Sequence, residues 1–86
     1  MISVLFKPTF IRQLNKLEND LQVEVLEKLE LFKDLKNHRS LKVHKLHGVL
    51  RDCYSFSVNY QMRVVFQYVS KKEVVCVAIG DHEVYR

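Results

Sequence analysis

Four residues of this 86-residue chain have the types that cleavage of an RNA phosphodiester needs: His44, Arg63, His82 and Tyr85. Such a reaction takes a base for the 2′-OH proton, an acid for the departing 5′-oxygen and a cation for the crowded phosphorane. Two histidines that titrate near neutrality and one arginine with a forked guanidinium meet that requirement without a metal. His82, Tyr85 and Arg86 close the chain in the heptad Gly80-Asp81-His82-Glu83-Val84-Tyr85-Arg86, directly after an apolar run, Glu73 to Ile79, that reads as a buried strand. Core building does not require a histidine, a phenol and an arginine at the end of a rigid element. The bland alternative makes His44 and His82 exposed polar residues with no role.

Other chemistries find less support. His44-x-x-His47 has a usable ligand spacing, but Cys53 and Cys76 fall in apolar strand-like runs and no Cys-x-x-Cys pair exists, so neither metal nor cofactor is expected. Glycine-rich phosphate loops, serine nucleophile elbows and dinucleotide fingerprints are absent. Asp81 and Glu83 sit beside cations and read as groups that position them.

The elements that must carry these residues follow from periodicity. Ile2 to Phe6 reads as a short strand, and Pro8 stands where a helix starts without losing a bond. Phe10, Ile11, Leu14 and Leu17 then predict an amphipathic helix of about ten residues. Asn19 is expected to cap a second helix, with Gln22 completing a capping-box spacing. Leu21, Val25, Leu29 and Phe32 form its apolar stripe, supported by Leu26 and Leu35, and Glu24 and Lys28 an i, i+4 pair on its solvated face. Lys36 to Leu50 has no clean period and gathers basic residues. From Tyr54 the period is two: Tyr54, Phe56 and Val58, then Val64, Phe66 and Tyr68, then the run to Ile79, with turns at Asn59-Tyr60-Gln61 and Ser70-Lys71-Lys72. The expectation is an α+β fold: an N-terminal strand and a two-helix antiparallel hairpin packed on one face of a mostly antiparallel sheet that ends in a three-stranded meander. Ser55, Ser57, Arg63 and Gln67 are expected to line the sheet's other, open face.

Bulk properties bound the function. Residues 1–86 suit one domain with one core. With 48% hydrophobic residues, two glycines and one proline, the chain is too apolar for disorder and too regular for a disulfide scaffold. Cys53 and Cys76 read as reduced core thiols, consistent with a cytoplasmic setting. Met1 leads straight into a strand, with nothing like a signal peptide, and no apolar run reaches the roughly 20 residues of a membrane span. The net charge of +4 is uneven. Residues 1–40 carry seven Lys/Arg against six Asp/Glu, whereas residues 41–86 carry seven against four and three of the four histidines. The C-terminal half therefore suits an anionic partner.

Order and motifs together resemble the RelE/ParE superfamily of bacterial toxin–antitoxin toxins over essentially the whole chain. Lys45-Leu46-His47-Gly48-Val49-Leu50-Arg51-Asp52-Cys53-Tyr54 is similar to the family's lead into the meander. Tyr60-Gln61-Met62-Arg63-Val64-Val65-Phe66 resembles its arginine-bearing strand, and Ile79-Gly80-Asp81-His82-Glu83-Val84-Tyr85 its ending. The resemblance implies a toxin that cuts mRNA in the ribosomal A site, neutralised by a cognate antitoxin and reaching operator DNA only through the toxin–antitoxin complex. It implies Arg63 at the scissile phosphate, His82 as general acid, His44 as base and Tyr85 as a stacking or phosphate contact. Lys42, Lys45, His47 and Arg86 would bind RNA. The chain departs from RelE in having Ser55 and Ser57 where RelE carries lysines. It departs from YafQ-like members in having Ser57 and Gln61 where those carry a histidine and an aspartate. The competing expectations are a ParE-like DNA gyrase inhibitor without catalysis and an inactive antitoxin-binding member of the fold.

Overall fold

In a computed structural model that describes residues 1–81, the chain runs β1 (Ser3–Phe6), α1 (Pro8–Asn15), α2 (Asn19–Phe32), β2 (His44–Lys45), β3 (Tyr54–Ser57), β4 (Arg63–Ser70) and β5 (Glu73–Gly80). The five strands form one sheet in the order β1-β5-β4-β3-β2. Only β1 and β5 are parallel, with Val4 opposite Val74 and Phe6 opposite Cys76. The α+β architecture and the three-stranded meander β3-β4-β5 are as expected. The first strand joins the sheet beside the last.

Pro8 opens α1, where its missing N–H costs nothing. The second helix starts differently from expectation. Glu18 is its N-cap, without a side-chain bond, and Asn19 is already helical. Gln22 serves the previous helix instead: its Nε2 donates to Leu17 O at 2.9 Å and Asn15 O at 3.3 Å. Those carbonyls end α1 and have no helical partner, so the amide gains more there than in a capping box. The expected Glu24–Lys28 pair also does not form. Glu24 Oε1 accepts from Asn59 Nδ2 at 2.7 Å, and the described ion pairs are Lys33–Glu30 and Lys36–Asp34. A tertiary amide held in one place outcompetes a solvated lysine.

Both helices pack on one face of the sheet. Phe10 from α1 and Val25, Leu29 and Phe32 from α2 are buried against Phe56, Val64, Phe66, Val74, Cys76 and Ile79. Phe32 is the centre, with ring centroids 4.8 Å from both Phe56 and Phe66 and 4.6 Å from His38. Leu26 and Leu35, expected to support that stripe, are 49% and 66% exposed. Leu26 faces a groove beside edge strand β1, and Leu35 lies past the helix end. The segment without a period is tied down by its own polar groups. Asn37 Nδ2 donates to Leu31 O at 2.9 Å, and His38 Nε2–H to Phe32 O at 2.7 Å. Both satisfy carbonyls at the end of α2.

A bulge in β5 sets the phase of the strand's end. Val65 faces Ala78 but Phe66 faces Cys76, which leaves Val77 as the extra residue. Cys76 and Ile79, three apart, thereby both reach the helix-side core. The parallel partner β1 ends at Phe6, opposite Cys76, so the later N–H groups on that edge need another acceptor. Gln13 Oε1 of α1 accepts from Ile79 N at 2.8 Å and fills the gap.

Candidate functional site

Strand pairing gathers candidate residues on the face away from the helices. His44 pairs with Ser55, Ser55 with Val65 and Val65 with Ala78; in the next row Ser57 pairs with Arg63 and Arg63 with Gly80. Side chains alternate across a strand, so Ser55, Ser57, Arg63 and Val65 share one face while Phe56, Val64 and Phe66 take the other. His44 and Arg63 are thus two strands and one row apart, about 12 Å between Cα atoms from strand spacing and rise.

This face is less open than the sequence suggests. Leu46, Cys53 and Val65 are buried in a second small cluster, with Leu50, Val77 and Ala78 against it. Residues 46–53 fold back to make it, through Leu46 N–H to Cys53 O at 2.9 Å and Cys53 N–H to Leu50 O at 2.8 Å. Ser55, expected on an open face, is fully buried. Gln67 is half-buried, with its amide 3.5 Å from Cys53 Sγ. Ser57 and Arg63 are the half-buried members nearest the end of the sheet.

The backbone fixes the state of His44. Its Nδ1 lies 2.8 Å from Lys42 O. A carbonyl only accepts, so Nδ1 carries the proton and the neutral ring presents Nε2 as its lone-pair nitrogen. That nitrogen is 3.5 Å from Ser55 Oγ, and the ring is exposed. A histidine so held can take a proton from a substrate hydroxyl. Lys42 adopts φ +58°, a left-handed conformation uncommon for a side-chain-bearing residue, and Val43 N–H to His38 O closes the turn at 3.0 Å.

Arg63 is anchored at one nitrogen. Its Nη1 donates to Asn59 O at 3.0 Å, Met62 O at 3.2 Å and Tyr60 O at 3.3 Å, all in the β3–β4 turn. Nε and Nη2 have no hydrogen-bond partner among the described residues. Asn59 fixes the same turn from within, its Oδ1 accepting from Gln61 N and Met62 N at 2.9 Å each.

The remaining expected residues divide. Lys42 is exposed and lines a cleft with Arg63. Lys45 pairs with Tyr54, which puts it on the opposite face of the sheet from His44 and Arg63. His47 is exposed at the start of a short 3-10 turn, Gly48–Leu50, where Gly48 takes φ +74°. His82, Tyr85 and Arg86 lie outside the described residues. The chain leaves β5 at Gly80, directly across from Arg63, and His82 is two residues further on in sequence. Lys28, expected only as half of a helix-surface pair, and Tyr60, expected only in a turn, both line the cleft beside Arg63. An aromatic at the tip of a turn that precedes an arginine was the available signal for Tyr60.

A five-stranded mixed sheet with two helices on one face is the fold of the RelE-like toxins, and solved structures of several match it over nearly the full chain. The toxin–antitoxin complex RelBE2 from Mycobacterium tuberculosis matches at 22% identity, covering 94% of this chain and 98% of that one, with a TM-score of 0.75. The RelBE toxin–antitoxin complex of E. coli matches at 20% identity, covering 94% and 96%, with a TM-score of 0.71. YafQ from E. coli matches at 11% identity, covering 98% and 97%, with a TM-score of 0.70. No curated protein matches the sequence. The chain belongs to the HigB-like toxin family, RelE-like toxins of type II toxin–antitoxin systems, whose model matches residues 9–82.

Proposed function

We propose that this toxin is an endoribonuclease that cleaves mRNA in the ribosomal A site and is held inactive by a cognate antitoxin in the cytoplasm. The observation that supports it most is the pairing on one sheet face of His44, its Nε2 left as the proton acceptor, with Arg63, one row away and opposite the residue where the tail begins. His44 takes the 2′-OH proton, and the 2′-oxygen attacks phosphorus. Arg63 stabilises the charge on the phosphorane. His82 gives its proton to the leaving 5′-oxygen, which yields a 2′,3′-cyclic phosphate and a 5′-hydroxyl. Tyr85 stacks on a base or contacts the phosphate, and Lys42, His47 and Arg86 hold the RNA backbone, whereas Lys45, on the other face of the sheet, takes no part.

Arg63 keeps Nη1 on the turn carbonyls and offers Nε and Nη2, which have no hydrogen-bond partner among the described residues, to the phosphate. Charge-assisted bonds to a phosphate are roughly twice as strong as those between neutral groups. RelBE2 and RelBE were solved as toxin–antitoxin complexes, which supports an antitoxin partner here; operator DNA would be reached only through that complex. Among the described residues no helix is long and apolar enough to cross a membrane.

The test is to express the wild type, His82→Ala and Arg63→Lys in cells and to map mRNA 5′ ends. Codon-phased cuts are expected for the wild type and are lost in both variants. Growth arrest that persists in His82→Ala with intact mRNA and an SOS response would replace the nuclease by a gyrase-directed toxin.

A further inference from the structure

The β3–β4 turn displays an aromatic ring that folding does not use. Tyr60 is 90% exposed and its ring has no aromatic partner among the described residues. Its backbone is nevertheless pinned from three sides. Asn59 Oδ1 holds Gln61 and Met62, Arg63 Nη1 holds three turn carbonyls, and Asn59 Nδ2 ties the turn to Glu24 of α2 at 2.7 Å. The phenol is thus presented on a fixed mount.

Beside it lies a cleft of about 360 Å³. Lys28 of α2, Lys42 in its left-handed turn, and Arg63 line it together with Ser57, Asn59 and Tyr60, and no carboxylate lines it among the described residues. The volume is within the roughly 300–1,000 Å³ of small-ligand sites. Three cations beside an exposed, pre-ordered ring is the combination that binds unpaired nucleotides: phosphates follow the charge and a base stacks on the aromatic. A mobile tyrosine would lose ordering entropy on stacking; this one has little backbone freedom left to lose.

We propose that this cleft is a subsite for one unpaired nucleotide of the RNA, with its base stacked on Tyr60 and a phosphate between Lys28, Lys42 and Arg63. The inference rests on the nuclease reading and extends it, because Arg63 belongs to both the catalytic face and the cleft. The RNA then runs from the scissile phosphate around the end of β3 toward α2. Stacking on a ring accepts any base, so the subsite sets strand state and register and not sequence.

The experiment measures binding of a fluorescein-labelled, non-cleavable 2′-O-methyl hexanucleotide by anisotropy, with the same preparations assayed for mRNA cleavage on ribosomes. Tyr60→Ala is expected to weaken binding about tenfold or more, while Tyr60→Phe stays within about twofold, since both rings stack. Lys28→Gln is expected to lower the slope of log affinity against log salt by about 0.7. The chain has four tyrosines and no tryptophan, so RNA should also quench tyrosine emission, less so in Tyr60→Phe. Equal affinity of Tyr60→Ala and the wild type overturns the subsite, as does a wild type that binds no oligonucleotide. Wild type that binds through Tyr60 but cuts no mRNA on ribosomes keeps the subsite and removes the nuclease reading. Circular dichroism and thermal unfolding check that Tyr60→Ala is folded, as its exposure predicts.

Discussion

The two faces of the sheet divide the molecule's work. The helix side buries four phenylalanines, Phe10, Phe32, Phe56 and Phe66, each with no exposed surface. Among the described residues the other side buries Ser55 and the small cluster of Leu46, Cys53 and Val65, and it carries Ser57, Arg63 and the exposed ring of His44. Phe56 and Phe66 fix strand register, because a one-residue slip would carry either ring away from Phe10 and Phe32 to the wrong face. With register held there, the other side can carry polar groups at defined positions without contributing much to stability. A stable scaffold and a site share strands β3, β4 and β5 and hardly any side chains.

The largest expected effect breaks the helix side. Phe32→Ala removes a ring in contact with Phe56, Phe66 and His38, and it should lower the unfolding free energy by about 3–5 kcal/mol in urea titration. Mutation on the opposite face should not approach this. A loss below about 1 kcal/mol for Phe32→Ala would mean that the two faces share the load evenly.

Arg63→Lys tests the other side. A lysine keeps the charge but cannot serve the turn carbonyls and a phosphate at once with a rigid fork. The single-turnover cleavage rate should fall about a hundredfold or more, the scale of a lost transition-state donor. Stability should change by about 1 kcal/mol, the worth of the neutral hydrogen bonds exchanged. Unchanged cleavage would put the phosphate elsewhere.

What was legible in the sequence follows the same division. Period-two alternation in residues 54–69 assigns Phe56 and Phe66 to one face and Arg63 to the other, and the structure agrees. Alternation says which face a residue takes, not whether something lies over it. Ser55 is therefore buried where an open face was expected, because whether that face is covered depends on long-range folding that no local period encodes. The two-residue strand β2 is too short to show any period, so nothing in the pattern separates Lys45 from His44, which the pairing places on opposite faces. The bulge at Val77 hides in a run of apolar residues that fit either face. Polar side chains were the hardest to place. Gln22, Gln13 and Asn59 each satisfy a backbone or side-chain group distant from their own position in the local pattern. The closing heptad, apart from Gly80 and Asp81, lies outside the described residues, so its roles stand on the resemblance and on the place where β5 delivers it.

His44→Ala probes a smaller contribution on the site face. The carbonyl of Lys42 sets the ring's tautomer, but the ring itself is exposed and supports no packing. Single-turnover cleavage should slow tenfold to a hundredfold, with thermal stability unchanged. An unchanged single-turnover rate in His44→Ala would assign the base elsewhere.

The smallest expected effect returns to the helix side and concerns a single proton. Cys76 is fully buried among the core residues, and burial pushes its thiol from 9.0 up to about 12. The folded state therefore keeps this proton at a pH where the unfolded chain has lost it. Stability from the neutral thiol is fully present below pH 9 and is lost as pH rises from about 9 toward 12. By pH 10 the wild type should have lost about 1.4 kcal/mol through this group alone. Unfolding free energies of the wild type and Cys76→Ala between pH 8 and pH 10 isolate it, because this thiol is the one titrating group the variant lacks. Tyr68, whose phenol is raised by burial and then by Tyr54, titrates in both and cancels in the difference. Cys76→Ala should be less stable than the wild type at pH 8 and should approach it by pH 10. Parallel curves would mean that the thiolate finds solvent in the folded state, and that the helix side is more open than its four buried rings imply.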